Sequence, residues 1–421
     1  MSVIVQKYGG SSVADVERIK RVARRVVATA EAGNPVCVVV SAMGATTDTL
    51  LGLAREVSPR PDPREQDVLL TAGERISAAL LAMAVNELGR EAVSLTGSQA
   101  GIVTDGSHGK ARIVELRMQR VHEALERGSI VIVAGFQGVT RGGSDITTLG
   151  RGGSDTTAVA LAAGLGADVC EIYTDVEGVF TADPRIVPTA RKLAAVTYEE
   201  MLELAASGAK VLALRSVEYA RNHGVPIHVR SSFSDVDGTW ILKEEDVLEQ
   251  ALISGIASDT GEAKVTILAV PDRPGIAARV FRPLADAGIH IDMIVQNVSA
   301  AGHTDISFTL PEADLATAEP VFSVIAQQVD AKGYTCDTDI GKVSLVGAGM
   351  RSNPGVAADM FEALADAGIN IEIISTSSIR ISCVVRSSEL ERAVQVVHDR
   401  FRLSENVLLL HDATGETPPA V

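Results

Sequence analysis

The chain has 421 residues, more than one hydrophobic core usually serves, so two or three domains are expected. With 46% hydrophobic but only 3% aromatic residues, its cores must be Val, Ile, Leu and Ala, which suits helices packed on parallel strands. A formal net charge of -16 argues against broad nucleic-acid binding or attachment to an anionic membrane, so any anionic ligand must be held by local lysine, arginine and backbone amides.

The first strand is expected in "VIVQKYGG", closed by a glycine turn. Ile19, Val22, Ala23, Val26, Val27 and Ala30 then recur at helical spacing, and Gly33 stops that helix. "PVCVVVSAMG" reads as a buried strand ending in a loop, and "VSPRPDPREQD" as a proline-rich, charged excursion. A helix is expected from about Thr71 to Leu88, then the strand "EAVSLT", a helix near Ala111 to Glu126 and the strand "SIVIVAGF". The helix after Ser154 leads to "ADVCEIYTD", and helices near Glu199 and Val211 lead to "VPIHVRS". The alternation predicts an α/β fold, a mostly parallel open sheet sandwiched by helices.

In such sheets ligands gather at the carboxyl ends of the strands. Lys7-Tyr8-Gly9-Gly10, Ser41-Ala42-Met43-Gly44, Gly135-Phe136 and Thr174-Asp175 each follow a strand, which points to one shared site. In "TLGRGGSDTTAVALAAG", glycines and hydroxyls beside Arg151 and Ser154 leave bare amides at a helix start, a place that favours an anion. No Walker lysine, protein-kinase motif set, dinucleotide fingerprint or Gly-x-Ser-x-Gly elbow is present. Phosphate would instead fall to Lys7 with Gly9 and Gly10, and then to Lys210. "YTDVEGVFTADPR" is either a ligand loop or an ordinary surface excursion.

Cys37, Cys170, Cys336 and Cys383 lack metal-ligand spacing and read as reduced thiols, so no protein-held metal is expected. Met1 leads straight into "SVIVQKYGG", unlike a signal peptide, and no apolar run is expected to reach the length of a membrane span. A cytoplasmic location follows.

"LKEEDVLEQ" reads as a charged helix or linker, and beyond it the chain repeats itself. One copy begins at Lys264 and the other at Lys342; Pro274-Gly275 matches Pro354-Gly355, Phe281 matches Phe361, and "LADAGI" occurs in both. Each copy reads strand, Pro-Gly turn, helix, strand, then a further strand ("TDISFTL", "SIRISCVV") and a helix near Leu315 to Lys332 or Leu390 to Phe401. The strand "LISGIASD" precedes the first copy and "NVLLLHD" ends the second. The first copy is therefore expected to be inserted into the second, with Leu252 to Asp259 completing the second sheet.

"KYGGSS", "VVSAMGATTDTLL", "LLTAGERISAALL", "TLGRGGSDTTA", "YTDVEGVFTADPR" and the tandem Pro-Gly repeats, in this order over essentially the whole chain, resemble the aspartokinases of the amino acid kinase family. The repeats resemble ACT domains, α+β ferredoxin-like modules that bind amino acids. The resemblance implies a catalytic domain over 1–250, a first ACT domain over 264–337, and a second over 251–263 plus 338–421. It implies transfer of the γ-phosphoryl of ATP, with Mg2+, to the β-carboxylate of L-aspartate, the opening step toward lysine, threonine and methionine.

Lys7, Lys210 and Asp155 are the implied catalytic residues; Asp155 either caps its helix or orients the lysines. Ser41, Thr47, Glu74, Arg151, Gly152, Gly153 and Ser154 would hold aspartate. Arg151 would take the α-carboxylate and Glu74 the α-ammonium, although Glu74 also suits the first turn of its own helix. Lys7, Tyr8, Gly9, Gly10, Lys210, Thr174, Asp175, Phe180, Thr181, Ala182, Asp183, Pro184 and Arg185 would surround ATP.

Effector candidates in the first repeat are Asp272, Pro274, Gly275, Asp292, Met293, Ile294, Gln296 and Asn297. In the second they are Pro354, Gly355, Asn370, Ile371, Ser375, Thr376 and Ser382. Lysine and threonine are the implied effectors, acting together. "SAAGHTDISF" is shorter than in lysine-sensitive relatives and Ser378 stands where Glu is common, which leaves effector identity open. Homo-oligomers through the ACT domains are implied. A shorter subunit from an internal start would need a codon other than Met, since none lies near residue 250. A silent amino-acid sensor and a glutamate 5-kinase-like enzyme are the competing readings.

Overall fold

The computed structural model describes residues 3–247, 252–296 and 302–405, and the chain divides into two compact units. The first is Met1–Val179, Lys192–Ala205 and Lys210–Glu249; the second is Phe180–Arg191, Ala206–Ala209 and Gln250–Val421.

The strands of the first unit are β1 (Ile4–Tyr8), β2 (Val36–Val40), β3 (Ala92–Leu95), β4 (Ile102–Thr104), β5 (Ile113–Leu116) and β6 (Ile130–Ala134). They continue with β7 (Gln137–Thr140), β8 (Ile146–Thr148), β9 (Val169–Thr174), β10 (Ala195–Thr197), β11 (Ile227–Ser231) and β12 (Thr239–Leu242). Eight form one sheet in the order β10-β12-β11-β9-β1-β2-β6-β3, parallel except where β11 meets β12. β2 and β6 are buried on both faces, which is why they read as unbroken apolar runs. The other four strands make a small sheet, β5-β4-β7-β8.

Its helices are α1 (Val16–Glu31), α2 (Thr46–Val57), α3 (Pro63–Leu70), α4 (Ala72–Glu87), α5 (Gln119–Glu126), α6 (Gly153–Leu165), α7 (Tyr198–Ala206) and α8 (Leu214–His223). The Asp15 carboxylate caps α1 by accepting from the Arg18 N–H. The stripe Ile19, Val22, Ala23, Val26 and Val27 is buried with α4 residues over one face of the sheet. Ile19 and each of the valines contribute roughly 1.5–3 kcal/mol on burial. α6 lies against β1, β2 and β9 and is buried nearly all round, which only its small residues permit.

Three expectations are corrected here. The helix expected from Ala111 begins only at Gln119, because Ile113–Leu116 pairs with β4 as a strand. The proline-rich excursion turns helical at Pro63, whose missing N–H costs nothing in a first turn and whose neighbour Asp62 caps the Arg64 and Glu65 amides. α3 and α4 together (Pro63–Glu87, 25 residues, peak-window hydropathy 1.6) do reach the length and apolarity of a membrane span. Half of that window is buried within the fold, as in a core helix.

The second unit holds β13 (Gly255–Asp259), β14 (Glu262–Pro271), α9 (Ile276–Asp286), β15 (Ile294–Gln296), β16 (His303–Pro311), α10 (Leu315–Gln328) and β17 (Gly333–Asp337). It continues with β18 (Ile340–Val346), α11 (Gly355–Asp366), β19 (Ile373–Thr376), β20 (Arg380–Arg386) and α12 (Leu390–Arg400). Two four-stranded sheets result, β15-β16-β14-β17 and β13-β18-β20-β19. β13 precedes the first repeat in sequence yet edges the sheet of the second, so the first repeat sits as an insert in the second. "NVLLLHD" lies outside the described residues.

The two repeats meet through Met293, Ile340, Ile373 and Val384 and through reciprocal charges. Lys342 on β18 pairs with Glu262 and, at 2.6 Å, with Asp292 of the first repeat. Lys264 on β14 pairs with Glu372 of the second. In the repeat alignment Lys264 matches Lys342 and Asp292 matches Glu372, so each copy lends its lysine to the other's acid.

Phe180–Arg191 departs from the expected 1–250 block. Ala182 and Val187 enter the core of the second repeat, the Ile256 N–H donates to the Thr181 carbonyl (2.7 Å), and the Thr181 hydroxyl lies 3.0 Å from His398 Nε2. Apolar and hydrogen-bonding partners in the second repeat outweigh sequence proximity to β9.

Candidate active site

The strand ends and the start of α6 converge on a cleft of about 280 Å³ in the first unit. Lys7, Gly10, Ser41, Thr47 and Glu74 line one part of it; Phe136 and residues 150–155 line the rest, with Ala42 and Gly44 between.

Each side chain arrives for a local reason. β1 alternates, so Lys7 faces the cleft while Gln6 and Tyr8 face away. Tyr8 stacks on Tyr173 with ring centroids 4.7 Å apart and is fully buried, so it can give a ligand only its backbone. Lys7 Nζ lies 2.6 Å from Asp155 Oδ1 on the first turn of α6. Of the two roles open to Asp155, the orienting one fits this contact; no side-chain cap bonds the start of α6. Gly152, the residue before α6, has φ +71°, and a Cβ there would fall 2.2 Å from the Ala213 methyl. Only glycine meets both demands, and the Gly153 N–H that opens α6 is spent on the Gly150 carbonyl at 2.9 Å. Lys210 is exposed three residues before Ala213, on the stretch that touches this turn.

Glu74 sits in the first turn of α4, 3% exposed. Its Oε1 accepts from the Ala42 N–H at 3.2 Å, while Oε2 has no hydrogen-bond partner. Burial pushes its carboxyl up to about 7, against the lowering pull of its own and the Ala42 amides. A buried carboxylate with one free oxygen in a cleft is poised for a cationic group.

The cleft therefore holds Lys7 and Arg151 together with the unpaired oxygen of Glu74, and that suits a zwitterionic amino acid beside a polyanion. It gathers Lys7, Gly10, Ser41, Thr47, Glu74, Arg151, Gly152, Gly153, Ser154 and Asp155. Thr174 and Asp175 end β9 next to β1, and the Thr174 hydroxyl donates to Asp175 (3.1 Å). Thr181 and Ala182 are buried in the second unit, and Asp183 and Arg185 pair with each other at 2.6 Å. The side chains of Thr181 and Ala182 thus face protein rather than ligand. Phe136 and Gly150 also line the cleft. Phe136 holds φ +70°, a strained setting for a bulky residue that no sequence pattern announces.

The effector candidates scatter over the second unit. Pro354 and Gly355 line a cleft of about 370 Å³ with Asn353, Asp359 and Arg400. Asp272, Pro274 and Gly275 are exposed at the matching turn of the first repeat. Asp292 is engaged with Lys342, and Met293 is buried between the repeats. Ile294 and Gln296 lie on β15, and Ser375 and Thr376 on β19. Ser375 pairs in register with Ser382, whose buried hydroxyl bonds Ser344 at 2.7 Å. Ile371 packs on the core of the second repeat and Asn370 is exposed; Asn297 lies outside the described residues.

A family model for the amino acid kinase family matches residues 2–231, and one for the ACT domain matches 266–321 and 343–401. An aspartokinase of Mycolicibacterium smegmatis is 58% identical over 420 residues, 99% of this chain and 100% of that one. The crystal structure of E. coli aspartokinase III with aspartate and ADP, in its R-state, is 25% identical and superposes with a TM-score of 0.82. It covers 95% of this chain and 99% of its own. The same enzyme with lysine and aspartate, in its T-state, gives 0.73 at the same identity and coverage. The chain belongs to the amino acid kinase family, and within it to the aspartokinases with tandem ACT domains.

Proposed function

We propose that this chain transfers the γ-phosphoryl group of ATP to the β-carboxylate of L-aspartate, giving 4-phospho-L-aspartate and ADP. The observation that carries this reading is the cleft itself: Lys7 held by Asp155 at the start of α6, sharing the cleft with a buried Glu74 that has one free oxygen.

The acceptor carboxylate titrates near ~4, so it is ionised at neutral pH and needs no general base. One of its oxygens attacks the γ-phosphorus, the bond from that phosphorus to the β,γ-bridging oxygen breaks, and ADP leaves with the electron pair. The obstacle is like charge: two unit charges about 4 Å apart repel by roughly 4 kcal/mol at an effective dielectric near 20. Lys7, Lys210 and the α6 amides offset it, and the first two follow the migrating phosphoryl group. Arg151 takes the α-carboxylate and Glu74 the α-ammonium.

Among the described residues no group of three or more His, Cys, Asp or Glu could hold a metal. Mg2+ would arrive on the nucleotide phosphates, where it would neutralise phosphate charge; the carboxylates lining the cleft are Glu74 and Asp155, the latter paired with Lys7. Thr174 and Asp175, at the end of β9 beside β1, are assigned to the nucleotide side.

The tandem repeats bind lysine, with threonine as the second effector, and shift the kinase unit between active and inactive arrangements. The kinase unit corresponds to 1–250, apart from the two segments noted above. The enzyme acts in the cytoplasm as a homo-oligomer joined through its ACT domains, and a shorter subunit from an internal start can accompany it.

An ADP-release assay with aspartate, with glutamate in its place, and with lysine and threonine added tests all of this. Aspartate-dependent release that is lost in Lys7→Ala supports the reading. Release with glutamate but not aspartate, or none with either, overturns it.

A further inference from the structure

The turn 149–154 must be held rigidly if it is to grip a carboxylate, and its own glycines cannot do this. Two side chains outside the cleft, one on α3 and one on α8, bond the chain where it enters this turn, at Thr148 and Leu149. Asp67 on α3 is 1% exposed, and its carboxylate accepts from the Thr148 hydroxyl at 2.6 Å and from the Gly109 N–H at 3.1 Å. His108 Nδ1 lies 2.8 Å from its other oxygen. Arg215 on α8 donates from Nη1 to the Leu149 carbonyl at 2.9 Å and from Nη2 to the Ala111 carbonyl at 2.8 Å.

These contacts tie the same two segments twice. Residues 108–111 and 148–150 also bond directly, from the Ala111 N–H to the Thr148 carbonyl at 2.9 Å. Gly150, at φ +79°, passes so close that a Cβ would lie 2.9 Å from the Gly109 carbonyl. Neither Asp67 nor Arg215 lines the cleft; Asp67 is spent on Thr148, Gly109 and His108, and Arg215 on the Leu149 and Ala111 carbonyls. A buried carboxylate such as Asp67 is costly unless fully partnered, and Arg215, half-buried, likewise turns two of its donors to backbone carbonyls at this turn.

We propose that Asp67 and Arg215 are positioning residues that fix the anion-gripping turn 149–154 and thereby set the affinity for the amino-acid acceptor. The proposal rests on the reading that this turn takes the acceptor's carboxylate.

The test measures KM for aspartate and for ATP, with melting temperature, in Arg215→Ala, Arg215→Lys, Thr148→Val and Thr148→Ser. A misplacement of about 1 Å costs on the order of a hundredfold, so a loosened turn should raise KM for aspartate about tenfold or more in Arg215→Ala. Arg215→Lys, which reaches one carbonyl only, should fall between it and wild type. Thr148→Val should raise KM for aspartate several-fold, and Thr148→Ser, which keeps the hydroxyl, should restore it. KM for ATP should stay within twofold throughout.

Deuterium exchange over 146–158 should quicken in Thr148→Val and Arg215→Lys while the β1 and β9 amides stay unchanged. The proposal is overturned if both KM values rise together with a falling melting temperature, if KM for aspartate does not move, or if exchange at the turn is unaltered. Should wild type release no ADP with aspartate, the functional reading fails instead, and the exchange rates alone decide the clamp. Should Arg215→Ala not fold, the Thr148 pair decides.

Discussion

Two buried lysines, one in each unit, are treated in opposite ways. Lys7 meets one carboxylate at the lip of a cleft and keeps about a tenth of its side chain open. Lys342 is 1% exposed and meets two carboxylates between the repeats, Glu262 and Asp292. The first cation is held in place and left with charge to offer; the second has its charge consumed by its neighbours. A lysine that serves chemistry is thus told from one that serves assembly by what remains of its field once its partners are counted.

The widest expected gap between the two is in turnover. Lys7→Ala should lower kcat at least a thousandfold in the ADP-release assay with the melting temperature nearly kept, whereas Lys342→Ala should leave more than half of the uninhibited rate. A comparable rate in both variants would erase the distinction. In stability the order reverses. Lys342→Ala strands the mostly buried Glu262 and the partly exposed Asp292 and should cost about 3 kcal/mol in denaturant unfolding, while Lys342→Met should recover most of that loss. Lys264→Ala, at a wetter pair, should cost only about 1 kcal/mol.

Glu74 sharpens the comparison from the acidic side. Its carboxyl is raised to about 7, so it titrates near neutral pH rather than staying ionised. A raised acid contributes stability below its unfolded value and loses it as pH climbs through the folded one. The unliganded protein should therefore weaken between about pH 4.5 and 7 through this group, and Glu74→Gln should stabilise it at pH 8 by about 2 kcal/mol. The same titration works the other way on binding: KM for aspartate should rise as pH falls below 7 and lose that dependence in Glu74→Gln. Melting curves and KM from pH 5.5 to 8.5 check both signs; a pH-independent difference between the two proteins refutes them.

The smallest effect concerns Lys342. Burial lowers its ammonium, but Glu262 and Asp292 more than reverse this and leave it raised above 10.5. Its stabilising share is complete below that value and fades only above it, so alkaline melts of wild type and Lys342→Met should converge only there.

The parts legible in the sequence were those written in periodicity or in duplication. The α1 stripe followed from 3.6-residue spacing, β2 and β6 from unbroken valines and isoleucines, and the place of β13 in the second repeat's sheet from the spare strand before Lys264. The cleft-lining residues could be named because glycine and charge cluster at strand ends. What escaped was set by tertiary context. β4, β5, β7 and β8 are three or four residues long, too short for a period to declare itself. Tyr8 stands beside Lys7 in sequence but on the opposite face of the sheet. Asp67 and Arg215 sit in ordinary helical surroundings, and only the folded chain brings them to the turn before α6.

The chain passes between its two units five times: after Val179, Arg191, Ala205, Ala209 and Glu249. No single scission can separate them cleanly. A protein cut near residue 250 would keep Phe180–Arg191 but deprive Ala182 and Val187 of the apolar bed in which they lie, baring them to solvent. The released repeats would in turn miss the Thr181 carbonyl that receives the Ile256 amide and the hydroxyl beside His398. Sensor and catalyst are stitched into each other, and a free-standing regulatory piece would have to borrow that missing thread from a full-length neighbour.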